Sequence, residues 1–175
     1  MTLLNEQPLR NIRINNKIFI MKSNYIYLYN NLIKLTTNKS LYIGLDKQDD
    51  FSDRLFLFLF HFAFFLKIYK KSEHEKILQE IYDFNFRQLE LSIREIGYGD
   101  QSINKKMKDY INVFHSIVSE IHFWDNFDKN EKKKIFSTFL VNFKKNDYLV
   151  DYFNEFSENL SKKTLNSYLK SVSNQ

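Results

Sequence analysis

The stretch Ile93–Phe114, IREIGYGDQSINKKMKDYINVF, decides the fold. It reads as the end of one helix, a two-glycine corner and the start of a second helix. Gly97 falls at the position after a helix C-cap, where a left-handed backbone is cheap only for glycine. Tyr98 then follows it as the residue whose apolar contact with Ile93 accompanies a Schellman ending. Gly99 opens the turn, and the side chains of Asp100 or Ser102 are expected to accept hydrogen bonds from the free N–H groups of the next helix. The corner Gly97, Tyr98, Gly99 and Asp100 therefore fixes how two helices pack.

Working outward, a chain of 175 residues suits one domain with a core that needs no metal or disulfide. The absence of cysteine excludes disulfides, zinc thiolate sites, iron–sulfur clusters and thiol catalysis. One proline and three glycines argue against a β fold built on turns. The expected fold is all-α: a single compact domain of six to seven helices around a central aromatic helix. A net charge of +5 hints at acidic partners, although a chain crowded with Lys, Asn, Ile, Phe and Tyr reaches the same sum through biased codon usage.

Residues 1–22 show no clean period and carry Arg10, Arg13, Lys17 and Lys22 against Glu6, so they read as a loose basic extension, with Met21 as an alternative start. The domain is expected over 23–172. Tyr25, Leu28, Tyr29, Leu32 and Leu35 form one apolar stripe of a first helix. Thr36 to Asp50 reads as a loop pinning Leu41, Tyr42 and Leu45 on the core.

The second helix, about Phe51 to Lys70, contains LFLFLFHFAFFL, a run too short for the roughly 20 residues of a membrane span. Phe51, Leu55, Phe58, Leu59, Phe62, Phe65, Leu66 and Tyr69 share one face, while Phe56, Phe60 and Phe64 form a stripe on the other. A helix apolar all round is the buried centre of a bundle. Alternatively, the second stripe meets a hydrophobic client or a membrane surface.

Ser72-Glu73-His74-Glu75 has the pattern of a capping box that starts a third helix at Glu73, with Ile77, Leu78, Ile81, Phe84, Leu89 and Ile93 or Ile96 inward. The fourth helix buries Ile103, Met107, Tyr110, Ile111, Phe114, Val118 and Ile121. Asp128 with Glu131 makes a second capping box for a helix from Lys129 to about Lys145. Tyr148 to Phe156 and Leu160 to Val172 are shorter helices.

No phosphate-binding glycine loop, nucleophile elbow, metal-binding motif or core carboxylate pair appears, so no catalytic or metal-ligating residue is expected and the chain does not read as an enzyme. Lys105, Lys106 and Lys108 lie near the start of the fourth helix, where the macrodipole disfavours cations. They form either a solvated face or, with Arg87 and Arg94, a patch for an acidic protein surface or for phosphates. His61 in the aromatic helix reads as a core or interface histidine; a helical pocket holding haem through His61 or His115 is a further alternative.

SIREIGYGDQSINKKMKDYINVFHSI resembles the ubiquinol-cytochrome c chaperone family in its arginine, glutamate, Gly-x-Gly-Asp corner and basic helix start. FSDRLFLFLFHFAFFLKIYK is similar to that family's aromatic helix, with Arg54 and His61 on its arginine and histidine. The resemblance runs from about Tyr29 to Phe156. It implies a non-enzymatic assembly chaperone without a cofactor or small-molecule substrate, binding cytochrome b or its nascent chain during assembly of the cytochrome bc complex (respiratory complex III). A ribosome contact, a small partner subunit and a peripheral membrane contact would accompany that role, at the cytoplasmic side of a bacterial inner membrane or the matrix side in mitochondria. Partner-binding residues are then expected among Arg94, Lys105, Lys106, Lys108, Phe56, Phe60, Phe64 and His61. A ribosome- or RNA-binding helical module that uses the basic start of the fourth helix is the rival reading.

Overall fold

Leu57, Leu59, Phe60, Phe62, Ala63, Phe64 and Phe65 lie on every side of one helix, and none of them reaches solvent. A helix apolar all round must be enclosed by its neighbours, and the computed structural model shows how. The structure describes residues 24–42, 51–141, 143–144 and 146–173. In chain order these form α1 (24–36), α2 (Phe51–Tyr69), α3 (Glu75–Glu95), α4 (Asp100–Glu120), α5 (Lys129–Phe139), α6 (Asn146–Ser161) and α7 (Leu165–Ser173), with 3-10 turns at Lys39–Tyr42, Ser72–His74 and Trp124–Asn126. Among the described residues there is no strand. The all-α expectation holds, and the parts of it that fall on residues 1–23 and 43–50, Leu45 included, lie outside the described residues.

The aromatic helix α2 is the axle. On one side Phe62 packs on Phe86 of α3 and Phe114 of α4, and Phe65 on Tyr168 of α7. On the other, Phe60 meets Phe136 of α5 and Phe153 of α6 at 4.9 and 5.8 Å, and Phe64 meets Trp124 edge-on at 5.0 Å. Tyr69 Oη donates to the Leu160 carbonyl at 2.9 Å, which fixes the end of α2 to α6. The stripe of α1 is buried at Tyr25, Leu28, Tyr29 and Leu32, and its tyrosines reach α3: Tyr25 Oη donates to Glu80 at 3.0 Å and Tyr29 Oη bonds Ser92 at 3.2 Å.

Several boundaries move, each for a local reason. Ser72 does not cap α3, because the chain first closes a 3-10 turn through His74 N–H to Lys71 O (2.9 Å), and the helix starts only at Glu75. The box at Asp128 does form: its carboxylate accepts from Asn130 and Glu131 N–H, and Glu131 accepts from Asp128 N–H. α5 stops at Phe139 rather than near Lys145, because Leu140 leaves the helical region at φ −111°, ψ 64°, and the turn that follows buries both Leu140 and Phe143. Leu160 belongs to α6. Thr164, whose Oγ1 accepts from Ser167 N–H at 3.2 Å, starts α7 instead.

Candidate functional site

The corner between α3 and α4 forms as the glycines require. Ile96 is the C-cap of α3, Gly97 follows with φ +96°, and its N–H donates to Arg94 O at 2.9 Å, one of the two bonds of a Schellman ending. Gly99 is extended at φ −72°, ψ 154°, and is the N-cap of α4. The expected side-chain cap is absent: Ser102 Oγ donates to the Gly99 carbonyl at 2.7 Å, and Asp100 turns to Arg94. Tyr98 is partly exposed, with Lys106 Nζ 4.5 Å above its ring.

Arg94 is the brace of this corner. Its guanidinium donates to Glu90 through Nε (3.1 Å) and Nη2 (2.8 Å), and through Nη1 to Asp100 at the head of α4. Both carboxylates raise its pKa, the hydrogen bond to Glu90 most. A guanidinium already spanning two carboxylates joins two helices and has few donors left for a partner.

The lysines divide. Lys105 and Lys108 are exposed at i, i+3, neighbours on the face of α4 turned away from Ile103, Met107 and Phe114, whereas Lys106 leans over the corner onto Tyr98. α4 begins at Asp100, so these lysines stand past the first turn, where the macrodipole has faded. The expected clash with the helix dipole is therefore small, and Asp100 puts an acid where the dipole favours one.

The aromatic stripe divides by burial. Phe60 and Phe64 are fully buried, as the reading of α2 as the centre of the bundle expects, and Phe56 is partly buried and reaches the surface. His61 is buried as well. Its Nδ1 lies 2.7 Å from the Leu57 carbonyl, which can only accept, so Nδ1 carries the proton and Nε2 accepts from Tyr152 Oη at 2.7 Å. Burial pushes its pKa down to about 4, the bond to Leu57 opposing weakly. Both ring nitrogens of His61 are thus used inside the core, and the side chain presents no surface. His115 is exposed and bonds Tyr82 at 3.2 Å, and no group of three or more His, Cys, Asp or Glu among the described residues could hold a metal ion.

Sequence reading missed the polar frame around Trp124. Its indole N–H donates to Asn154 Oδ1 at 3.0 Å, the same oxygen that takes Lys132 Nζ at 3.1 Å. A lone tryptophan before a capping box was the available signal.

Residues 45–122 match the ubiquinol-cytochrome C chaperone family. No curated protein and no solved structure matches the chain. The family match is shorter than the Tyr29–Phe156 resemblance. It contains all of α2, α3 and α4, hence the Gly97 corner, the Arg94 brace and the three lysines, and it leaves out α1 and α5 to α7. Among the described residues, no helix is long and apolar enough to cross a membrane.

Proposed function

We propose that the chain is a non-enzymatic assembly chaperone for the cytochrome bc complex, respiratory complex III, and that it binds newly made cytochrome b while peripheral to the membrane in which that complex forms. The match to the chaperone family supports a role in complex III assembly. The observation that carries the finer reading is that the matched stretch builds the α3–α4 face, where Lys105 and Lys108 stand exposed and outside every ion pair found among the described residues. Cations held clear of the core serve association rather than folding. A small partner subunit and the ribosome are the further partners of this reading.

The test changes Lys105, Lys106 and Lys108 together to Gln. The melting point should stay equal or fall slightly, since only the Lys106–Tyr98 contact, worth about 0.5–1 kcal/mol at an exposed site, is lost from the fold. The level of assembled cytochrome bc complex, read from its haem b difference spectrum, should drop. Full assembly with the triple variant would overturn the reading. Loss of a steeply salt-dependent RNA affinity, with assembly intact, would move the basic face to the ribosome instead.

A further inference from the structure

Between Asn146 and Ser161, α6 carries Asp147, Asp151, Glu155 and Glu158 and neither lysine nor arginine. The first two acids are used by α5: Lys129 reaches both, and Lys133 pairs with Asp147. Glu155 and Glu158 are exposed and in no ion pair found among the described residues. The cations at hand are turned elsewhere. Lys132 of α5 lies over Trp124 and donates to Asn154, and Lys162, one turn beyond Glu158, bonds Asn159 at 3.4 Å.

Beside these acids runs a row of rings. Tyr148, Tyr152 and Phe156 follow at i, i+4 and i+8, near-parallel in pairs at 28° and 4° with centroids 6.4 Å apart. Tyr148 is 38% exposed, and Tyr152 and Phe156 each keep part of their surface in solvent. Their inner edges are held, since Tyr152 Oη bonds His61 and Phe156 meets the His61 ring edge-on at 5.0 Å. Glu155 stands three residues after Tyr152, neighbouring it on the helix surface. The Tyr152 pKa records that neighbour: burial raises it most, then Tyr148, Tyr168 and Glu155.

Uncompensated carboxylates beside fixed ring faces call for a cation that is also flat. A guanidinium is that group, because it stacks on an aromatic face and forks onto a carboxylate, whereas an ammonium offers a point charge alone. Short loops of membrane proteins carry an excess of arginine and lysine on one side of the bilayer, so a newly made membrane client offers such segments.

We propose that the outer face of α6 docks an arginine-bearing segment of the client protein, its guanidinium groups stacked on Tyr148 and Tyr152 and paired with Glu155 and Glu158. This rests on the chaperone reading only in taking the client to be a membrane protein, and the surface lies outside the residues 45–122 that match the family.

The test titrates the full chain with a labelled synthetic peptide of alternating arginine and leucine, and with its lysine and glutamate counterparts, by fluorescence anisotropy. The arginine peptide should bind tightest, the lysine peptide several-fold more weakly and the glutamate peptide not at all. Glu155→Lys with Glu158→Lys should weaken the arginine peptide about tenfold, as expected of two rim charges reversed. Tyr148→Ala should weaken it several-fold, and Tyr148→Phe, which keeps the ring, should not. Urea midpoints of the variants confirm that they are folded. Glu75→Lys with Glu120→Lys, exposed acids on other helices, should leave binding unchanged. Equal binding of the arginine and lysine peptides overturns the proposal, as does an equal loss from the Glu75 and Glu120 pair, since either would reduce the face to general charge attraction. Tighter binding after Arg10, Arg13, Lys17 and Lys22 are changed to Gln in the full chain also overturns it, because the chain's own basic residues would then be the occupant. Cytochrome bc levels do not enter this titration, so the chaperone reading can fail while the α6 face stands, and the reverse.

Discussion

At the scale of single residues, Gly97 and His61 are the positions where one side chain decides an energy. A Cβ at Gly97 would meet nothing within 4 Å, so substitution there costs torsion alone. At φ +96°, Gly97→Val should destabilise the domain by more than about 1 kcal/mol. Gly99→Ala, at an ordinary extended backbone in open space, should stay within about 0.5 kcal/mol. Equal urea midpoints for the two variants would reject this account of the corner. His61 makes stability depend on pH, and the sign follows from its depressed pKa. The folded state protonates only near 4 and the unfolded chain near 6.5, so in that window the unfolded chain binds more protons. The contribution is complete above 6.5 and is lost as pH falls towards 4, reaching about 2 kcal/mol of loss by about pH 5. His61→Phe removes the titrating group while keeping a ring against Phe153 and Phe156. Between neutral pH and pH 5 the variant should lose correspondingly less stability than the natural chain; parallel losses would exclude His61 as the source.

At the scale of the helix, α2 shows which face is core. Phe60→Ala and Phe64→Ala should each cost about 3–5 kcal/mol, and Phe56→Ala clearly less, because only Phe56 keeps part of its ring in solvent. A large loss at Phe56 matching the other two would show that it is covered as they are. α3 carries the opposite defect. Asn85 is buried, its Nδ2 donates to Ile81 O at 2.7 Å, and no donor among the described residues reaches its Oδ1. Asn85→Leu should therefore raise the urea midpoint by an amount worth about 1–2 kcal/mol; a lower midpoint would mean that the oxygen has a partner. These two helices also show what the sequence made legible. Periodicity found α3 and α4, and the choice left open between Ile93 and Ile96 resolves to Ile93, fully buried while Ile96 is 56% exposed. It could not find Asn85 or Ile117 as core, because a polar residue on an apolar stripe and a one-position widening of a stripe leave no period of their own. Nor could it assign the faces of α2, since a helix apolar all round has no moment to read. The same limit hid the site: the corner was evident from its glycines, but Asp100 was expected to cap α4 and instead joins Arg94, a contact between two helices that no local pattern encodes.

For the whole molecule, the family match and the core do not coincide, and that has a measurable consequence. The matched residues, 45–122, include α2 but not the helices that close its second side. Phe60 lies on Phe136 and Phe153, Phe64 on Trp124 and Phe153, and His61 on Tyr152, all beyond residue 122. Removing α5 to α7 would bare Phe60 and Phe64 together, an apolar stripe larger than a soluble fragment tolerates. The fragment 45–122 should consequently keep helical far-UV circular dichroism while losing fixed near-UV signals, bind a hydrophobic dye and melt without a cooperative transition. The full chain should unfold in one step, because α2 is shared by both sets of neighbours and neither can leave without opening its core. A fragment that melts cooperatively would show that α2 to α4 form a core of their own. Two separate transitions in the full chain would show that α5 to α7 can leave α2 independently, and would return Phe60 and Phe64 to the surfaces able to meet a partner.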